Sequence, residues 1–198
     1  MFICIRWKGV RHLGYMRVIT GSAKGCKLSA PEGLDVRPTL DRVKESLFSI
    51  LYPVLNDSSN VLDLFAGSGA LGIEALSRGA FKCTFVEKNK KAYDCVINNL
   101  RKTRLSDKAS VYFGEFEDFF KKNSERYNLV FLDPPYSMGF EENVFSILRS
   151  HITDEGLVVL ESETEQGVFH GFEIIRSVRY GRVYITLYKP LNTEGANE

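Results

Sequence analysis

A chain of 198 residues with 26 Lys or Arg against 25 Asp or Glu, and 44% apolar residues, has the composition of one globular domain with room for a sizeable core. Its four cysteines (Cys4, Cys26, Cys83, Cys95) form no C-x-x-C pair and His is scarce, which argues against a structural metal and for a reduced, cytoplasmic setting. No apolar run approaches membrane-spanning length, so neither a transmembrane helix nor membrane attachment is expected.

The net charge of +1 hides an uneven distribution, since Met1 to Ser29 holds six Lys or Arg and no acid. Phe2 to Ile5 is too short an apolar stretch for a signal peptide, and Arg6 interrupts it. The first predicted elements are a small β-hairpin, Arg17 to Thr20 with Cys26 to Ser29, then Pro31-Glu32-Gly33 and a helix from Thr39 to about Leu51. Thr39 follows Pro38 and is expected as its N-cap.

An apolar strand, Val61 to Phe65, then enters a small-residue loop, Ala66-Gly67-Ser68-Gly69, and a helix from Gly69 to Ser77. Gly67, Gly69 and Gly72 match the dinucleotide fingerprint, with Glu87 about 20 residues on. Asp63 decides against NAD. A carboxylate just before the glycines would meet a pyrophosphate as a like charge at short range. It would attract a cationic amino group instead, and S-adenosylmethionine (AdoMet) has an ammonium, a sulfonium and no phosphate. The strand Cys83 to Val86 ends in Glu87, an acid placed to take both ribose hydroxyls of an adenosine. After the strand Ser110 to Phe113, Glu115 either accepts from an adenine amine beside Phe116 or belongs to the acidic first turn of a helix running to Lys122.

The apolar run Tyr127 to Leu132 reads as a buried parallel strand, and Asp133-Pro134-Pro135-Tyr136 stops it. Two prolines give no N–H to a ladder and restrict the residues before them, so a stiff turn forms at the carboxyl end of a strand. Open α/β sheets bind ligands there. A carboxylate, a proline carbonyl and an aromatic face together accept two hydrogen bonds from an NH₂ group while stacking on a planar ring. A planar ring with an exocyclic amine is a nucleobase.

A helix Glu141 to His151 and a strand Leu157 to Glu161 follow, then Phe172 to Arg179 and Arg182 to Tyr188 joined at Tyr180-Gly181 as an antiparallel pair. The alternation predicts an α/β fold: a doubly wound, mostly parallel seven-stranded Rossmann-like sheet with an antiparallel C-terminal hairpin. Lys88, Lys90, Lys91, Arg101, Lys102, Arg104 and Lys108 around the second helix of the alternating units read as a solvated face. The N-terminal basic residues, with Arg37 and Arg42, are expected beside the catalytic turn, gripping phosphates.

With these residues in place the chain resembles the bacterial methyltransferases that modify guanine N2 in small-subunit (16S) ribosomal RNA, the RsmD type. The resemblance lies in Asp63 to Gly72, in Asp133 to Tyr136, in Arg17 to Gly21 and Gly25 to Leu28, and in Arg37-Pro38-Thr39-Leu40-Asp41-Arg42 through Phe48. It runs from Met16 to about Lys189. Lys44 stands where that family often has Arg, and Tyr136 where Phe is common. The resemblance implies AdoMet held by Asp63, Phe65, Gly67, Gly69, Glu87 and Glu115, with S-adenosylhomocysteine as product and no metal. It implies amine methylation by Asp133, Pro134 and Tyr136, and RNA contact through Arg17, Lys24, Lys27, Arg37, Thr39 and Arg42. The expected partner is 16S rRNA within a partly or fully assembled small subunit, met by a monomer. The layout that follows is an RNA-contacting region over 16–52, a methyltransferase domain over 53–190 and a polar tail over 191–198. Residues 1–15 match nothing in the resemblance and read as an over-long gene assignment before Met16, or as a short basic arm. The catalytic turn alone also suits a DNA adenine methylase, although no target-recognition domain is apparent. An RNA-binding assembly factor with a vestigial AdoMet pocket is disfavoured by the intact Asp63, Asp133 and Tyr136.

Overall fold

The computed structural model describes residues 16–31, 39–134 and 141–191, and of residues 39–42 the backbone alone. Its elements are α1 (Thr39–Leu51), β1 (Asn60–Leu64), α2 (Ala70–Ser77), β2 (Lys82–Glu87), α3 (Lys90–Thr103), β3 (Ala109–Phe113), α4 (Phe116–Lys122), β4 (Tyr127–Leu132), α5 (Glu141–His151), β5 (Ile152–Ser162), β6 (Phe172–Tyr180) and β7 (Val183–Pro190). Thr39 is the first helical residue of α1, and what precedes it lies outside the described residues.

The seven strands form one sheet in the order β3-β2-β1-β4-β5-β7-β6. Strands β1 to β5 pair in parallel, and β7 joins β5 and β6 antiparallel. The chain steps from β1 outward to β3 and returns on the other side of β1 as β4. That reversal places a crevice between the carboxyl ends of β1 and β4, the point where such sheets take ligands. The continuous apolar runs follow from burial on both faces. Val61, Leu62 and Leu64 of β1, and Leu129, Val130 and Phe131 of β4, are fully enclosed.

One face of the sheet is covered by α1, α2, α3 and the N-terminal segment, with Phe48 of α1 packed on Phe131 at 5.7 Å between ring centroids. The other carries α4 and α5. There the Phe145 ring stacks on Phe169 at 4.1 Å and meets Phe172 and Tyr188 edge-on at 5.0 and 4.8 Å. Local signals set the helix ends. Asn89 caps α3 by accepting from the Lys91 and Ala92 amides, and Arg104 closes it in the left-handed conformation.

Two sequence expectations change. The strand expected at Leu157 begins at Ile152, which is fully buried opposite Tyr127. The polar Thr153-Asp154-Glu155 stretch conceals it, and a register irregularity between Tyr127 and Leu129 absorbs the extra length. The N-terminal hairpin contracts to a single antiparallel bridge, Arg17 with Lys27. The Val18, Gly25 and Leu28 amides still bond across it, to the Cys26, Val18 and Met16 carbonyls, while others bond to the helices. Ile19 and Thr20 donate to the Glu74 carboxylate (2.7 and 3.0 Å), and Ser22 donates to the Ser77 carbonyl (2.8 Å). Glu74, wholly enclosed, also meets Lys44 of α1 at 3.2 Å and Arg78 at 2.8 Å. One carboxylate thus ties α1, α2 and the first segment together. Asn99 of α3 adds a second tie by accepting from the Ser29 amide (2.8 Å) and donating to the Ser29 and Ser68 carbonyls (both 2.9 Å).

Candidate active site

The loop leaving β1 is tightly specified. Phe65 adopts φ +100, a conformation a side chain disfavours, at a cost of about 1–3 kcal/mol. Its amide and that of Ala66 both donate to the Val86 carbonyl (3.2 and 3.1 Å), which bends the chain over the end of β2. The Phe65 ring meets Phe116 edge-on at 5.6 Å. Gly67 and Gly69 take φ +55 and +75, and Gly69 occupies the cap position of α2. Gly72 has a different reason to be glycine. A Cβ there would come within 2.4 Å of the Phe85 ring and 2.7 Å of Cys83 Sγ, so its absence lets α2 lie close on the sheet.

Asp63 lies beneath this loop, almost fully buried, and accepts from the Gly72 amide at 2.9 Å. Among the described residues it makes no ion pair. Burial outweighs that hydrogen bond, and the nearby Glu87 charge adds to it, so its pKa rises to about 7. A buried carboxylate in this condition is stabilised by a cationic ligand. Glu87, at the tip of β2, accepts from the Gly67 amide at 2.8 Å through one oxygen and from the Asn89 amide at 2.7 Å through the other. It fixes the loop, and a carboxylate retains further lone pairs for hydroxyl donors. Glu115, at the cap position of α4, makes no capping bond and stands 3.3 Å from Lys88, both exposed. The donor set fits the amino-acid and ribose ends of AdoMet: an acid under the loop, an acid at the ribose position and glycines between them.

Asp133 and Pro134 follow β4 directly, across the crevice from the glycine loop. In register, Asp63 of β1 pairs with Phe131 of β4, two residues before Asp133. Asp133 is open to solvent while Pro134 is buried. Although its side chain reaches solvent, the protein surrounding Asp133 raises its pKa above the usual carboxylate range, with Glu161 and then Asp63 adding repulsion. Pro135 and Tyr136 lie outside the described residues. Glu161, the residue at which the sequence pattern ends its strand and to which it assigns no role, stops the apolar run of β5 just as Asp133 stops that of β4. Among the described residues no cluster of His, Cys, Asp or Glu is arranged to hold a metal.

The basic residues divide. Met16 Sδ accepts from the Ser68 hydroxyl at 3.2 Å, so the open end of the N-terminal segment, with the paired Arg17 and Lys27, lies by the glycine loop. The tip, Gly21 to Gly25, lies instead against Ser77 at the far end of α2. Lys24 is therefore not beside the catalytic turn, contrary to the sequence expectation, because the outward arm of the segment runs alongside α2 in the same direction, from Ser68 to Ser77, rather than across the crevice. Arg37, and the side chains of Thr39 and Arg42, lie outside the described residues. Helix α1 runs alongside α2, meeting Glu74 through Lys44 and Arg78 through Phe48 (4.8 Å), so its amino end points toward the glycine-loop end.

The family model described as "Conserved hypothetical protein 95" matches residues 16–189. The chain belongs to that family. Within it, the Ribosomal RNA small subunit methyltransferase D of Escherichia coli is 40% identical over 157 residues, covering 78% of each chain. The protein of the same name from Haemophilus influenzae is 36% identical over 183 residues, covering 89% of this chain and 94% of its own. The solved structure of the yhhF protein of Escherichia coli superposes with a TM-score of 0.79 at 37% identity, covering 89% of this chain and 98% of that one. The family's matched span includes the N-terminal segment, α1 and every strand of the sheet.

Proposed function

We propose that this protein is an AdoMet-dependent methyltransferase that methylates the exocyclic N2 of a guanine in small-subunit ribosomal RNA. One observation carries the reading. An acid-floored glycine loop and the Asp133-Pro134 exit of β4 face each other across the topological switch of the sheet, between β1 and β4. The names carried by its relatives supply the substrate class.

When bound, AdoMet supplies a methyl group already activated on a sulfonium sulfur, so the protein provides position and charge placement rather than a strong nucleophile. Asp63 and Glu87 orient the donor. Asp133 and the Pro134 carbonyl accept the two N–H bonds of the target amine. The nitrogen then pyramidalises and directs its lone pair, otherwise delocalised into the ring, at the methyl group. Positive charge develops on nitrogen beside the Asp133 carboxylate, which stabilises the transition state more than the ground state. The Asp133 carboxylate, which reaches solvent, then takes the proton that the methylated nitrogen releases. Tyr136 stacks on a base drawn out of the RNA fold. A domain this small reads the shape of folded RNA, so the substrate is a partly or fully assembled small subunit. The protein acts on it as a monomer in the cytoplasm.

The test incubates the protein and labelled AdoMet with small subunits from a strain lacking the enzyme, with DNA in parallel, followed by nucleoside mass spectrometry. N2-methylguanosine in the rRNA is expected. N6-methyladenosine, or label only in DNA, would overturn the base and substrate assignments.

A further inference from the structure

The carboxyl edge of the sheet holds an acid that this mechanism leaves unused. Leu132 of β4 pairs with Leu160 of β5 in a parallel ladder, which makes Asp133 and Glu161 the next residues on neighbouring strands. Parallel neighbours lie about 4.8 Å apart, and in-register residues project to the same face. The preceding pairs show which face. Leu132 and Leu160 lie in the core under α4 and α5, while Phe131 and Val159 lie in the core under α1 to α3. Asp133 and Glu161 therefore continue the Phe131–Val159 row, the side from which Asp63 also projects toward Gly72. Glu161 is half-buried, and its charge is felt at Asp133 ahead of that of Asp63.

We infer that Glu161 is a specificity-determining residue that accepts the N1–H of the target guanine beside the N2 held by Asp133 and Pro134. The inference rests on the guanine-N2 reading above. On its amine edge guanine presents three N–H bonds, two on N2 and one on the adjacent ring N1. With Asp133 and the Pro134 carbonyl taking the N2 pair, the N1–H needs an acceptor next to Asp133, and strand register puts a carboxylate there. An adenine with its amine in the same place would turn a ring-nitrogen lone pair toward that carboxylate. Two acceptors would then face each other in a partly desolvated site, each without a donor. Sites built to hydrogen-bond a substrate N–H reject analogues that lack it far more strongly than apolar pockets reject a missing methylene. Glu161 thus discriminates between bases without entering the bond-making step.

The probe is 2-aminopurine, which keeps the 2-amino group but has a bare N1. Small subunits are reconstituted with either guanine or 2-aminopurine at the target nucleotide, mapped beforehand by mass spectrometry. kcat/KM is measured on each for wild type, Glu161→Gln and Glu161→Asp. Wild type should favour guanine strongly. Glu161→Gln offers an N–H to the bare N1, so its guanine preference should fall roughly ten- to hundredfold, while Glu161→Asp keeps the acceptor and the preference. Because the preference is a ratio within one variant, partial loss of folding does not imitate the effect, and AdoMet binding measured alongside confirms a folded pocket. An unchanged preference in Glu161→Gln would overturn this inference while leaving the methyltransferase reading intact. A wild type that makes no N2-methylguanosine would overturn the underlying reading instead.

Discussion

Two buried carboxylates, Asp63 and Glu74, flank the glycine loop and behave as opposites. Glu74 has Lys44 and Arg78 within 3.2 Å and two backbone amides on its oxygens, so its charge is compensated from within the chain. Asp63 has the Gly72 amide and no ion pair among the described residues, and burial drives its pKa up to about 7. Both sit where an ionised acid is costly. The first is balanced in the folded protein and holds architecture together. The second is left to be balanced by something that arrives, as expected of a ligand site.

The comparison can be broken in four ways. The largest effect belongs to the acid that touches the reacting amine: Asp133→Ala should lower kcat about a hundred- to thousandfold while leaving AdoMet affinity, read by calorimetry, nearly unchanged. Next, Glu74→Ala strands the buried Lys44 and the partly exposed Arg78. It should cost about 3–5 kcal/mol in denaturant unfolding and loosen the N-terminal segment. If the loss were only a few tenths, Glu74 would not be the tie described here.

Asp63→Asn should behave in the reverse sense, weakening AdoMet binding without lowering stability. The sign follows from its raised pKa. Between about pH 4 and 7 the folded chain holds a proton that the unfolded chain has released, so Asp63 makes stability fall as pH rises through that window. AdoMet affinity should move oppositely, strengthening as pH rises through about 7 and the carboxylate ionises. Calorimetry across that range should show this slope in wild type and a flat profile in Asp63→Asn. The smallest effect concerns the basic segment. Lys27→Ala should weaken subunit binding and flatten its salt dependence, and Lys24→Ala, out at the tip, should do so less. Equal losses would mean the RNA wraps the far end of α2 as well.

Much of this was legible in the sequence because its signals are local. Two prolines end the β4 run at Asp133, glycines and an acid bracket the β1 loop, and α1 and α5 begin and end where their residue patterns predict. Glu74 was not legible. Its partners Ile19 and Thr20 lie 55 and 54 residues away, and no helical periodicity encodes a side chain reaching a distant backbone. The position of Lys24 failed for the same reason, since side chains of α2 set the path of the first segment. The early start of β5 was hidden because Thr153 to Glu155 fall in the irregularity between the Ile152 and Leu157 pairs, where no apolar pattern marks the strand.

The Glu74 tie also has a mechanical meaning. The amides of Ile19 and Thr20 give their hydrogens to a carboxylate carried by α2, so they exchange with solvent when that helix loosens, not when a sheet ladder frays. The outward arm of the segment is therefore expected to gain exchange together with α2, which amide hydrogen exchange would read. α2 is only eight residues long, gripped by the segment at Ser77 and joined to the glycine loop at Gly69. A pull on the segment is thus delivered to the floor of the donor pocket through a rigid lever about 12 Å long.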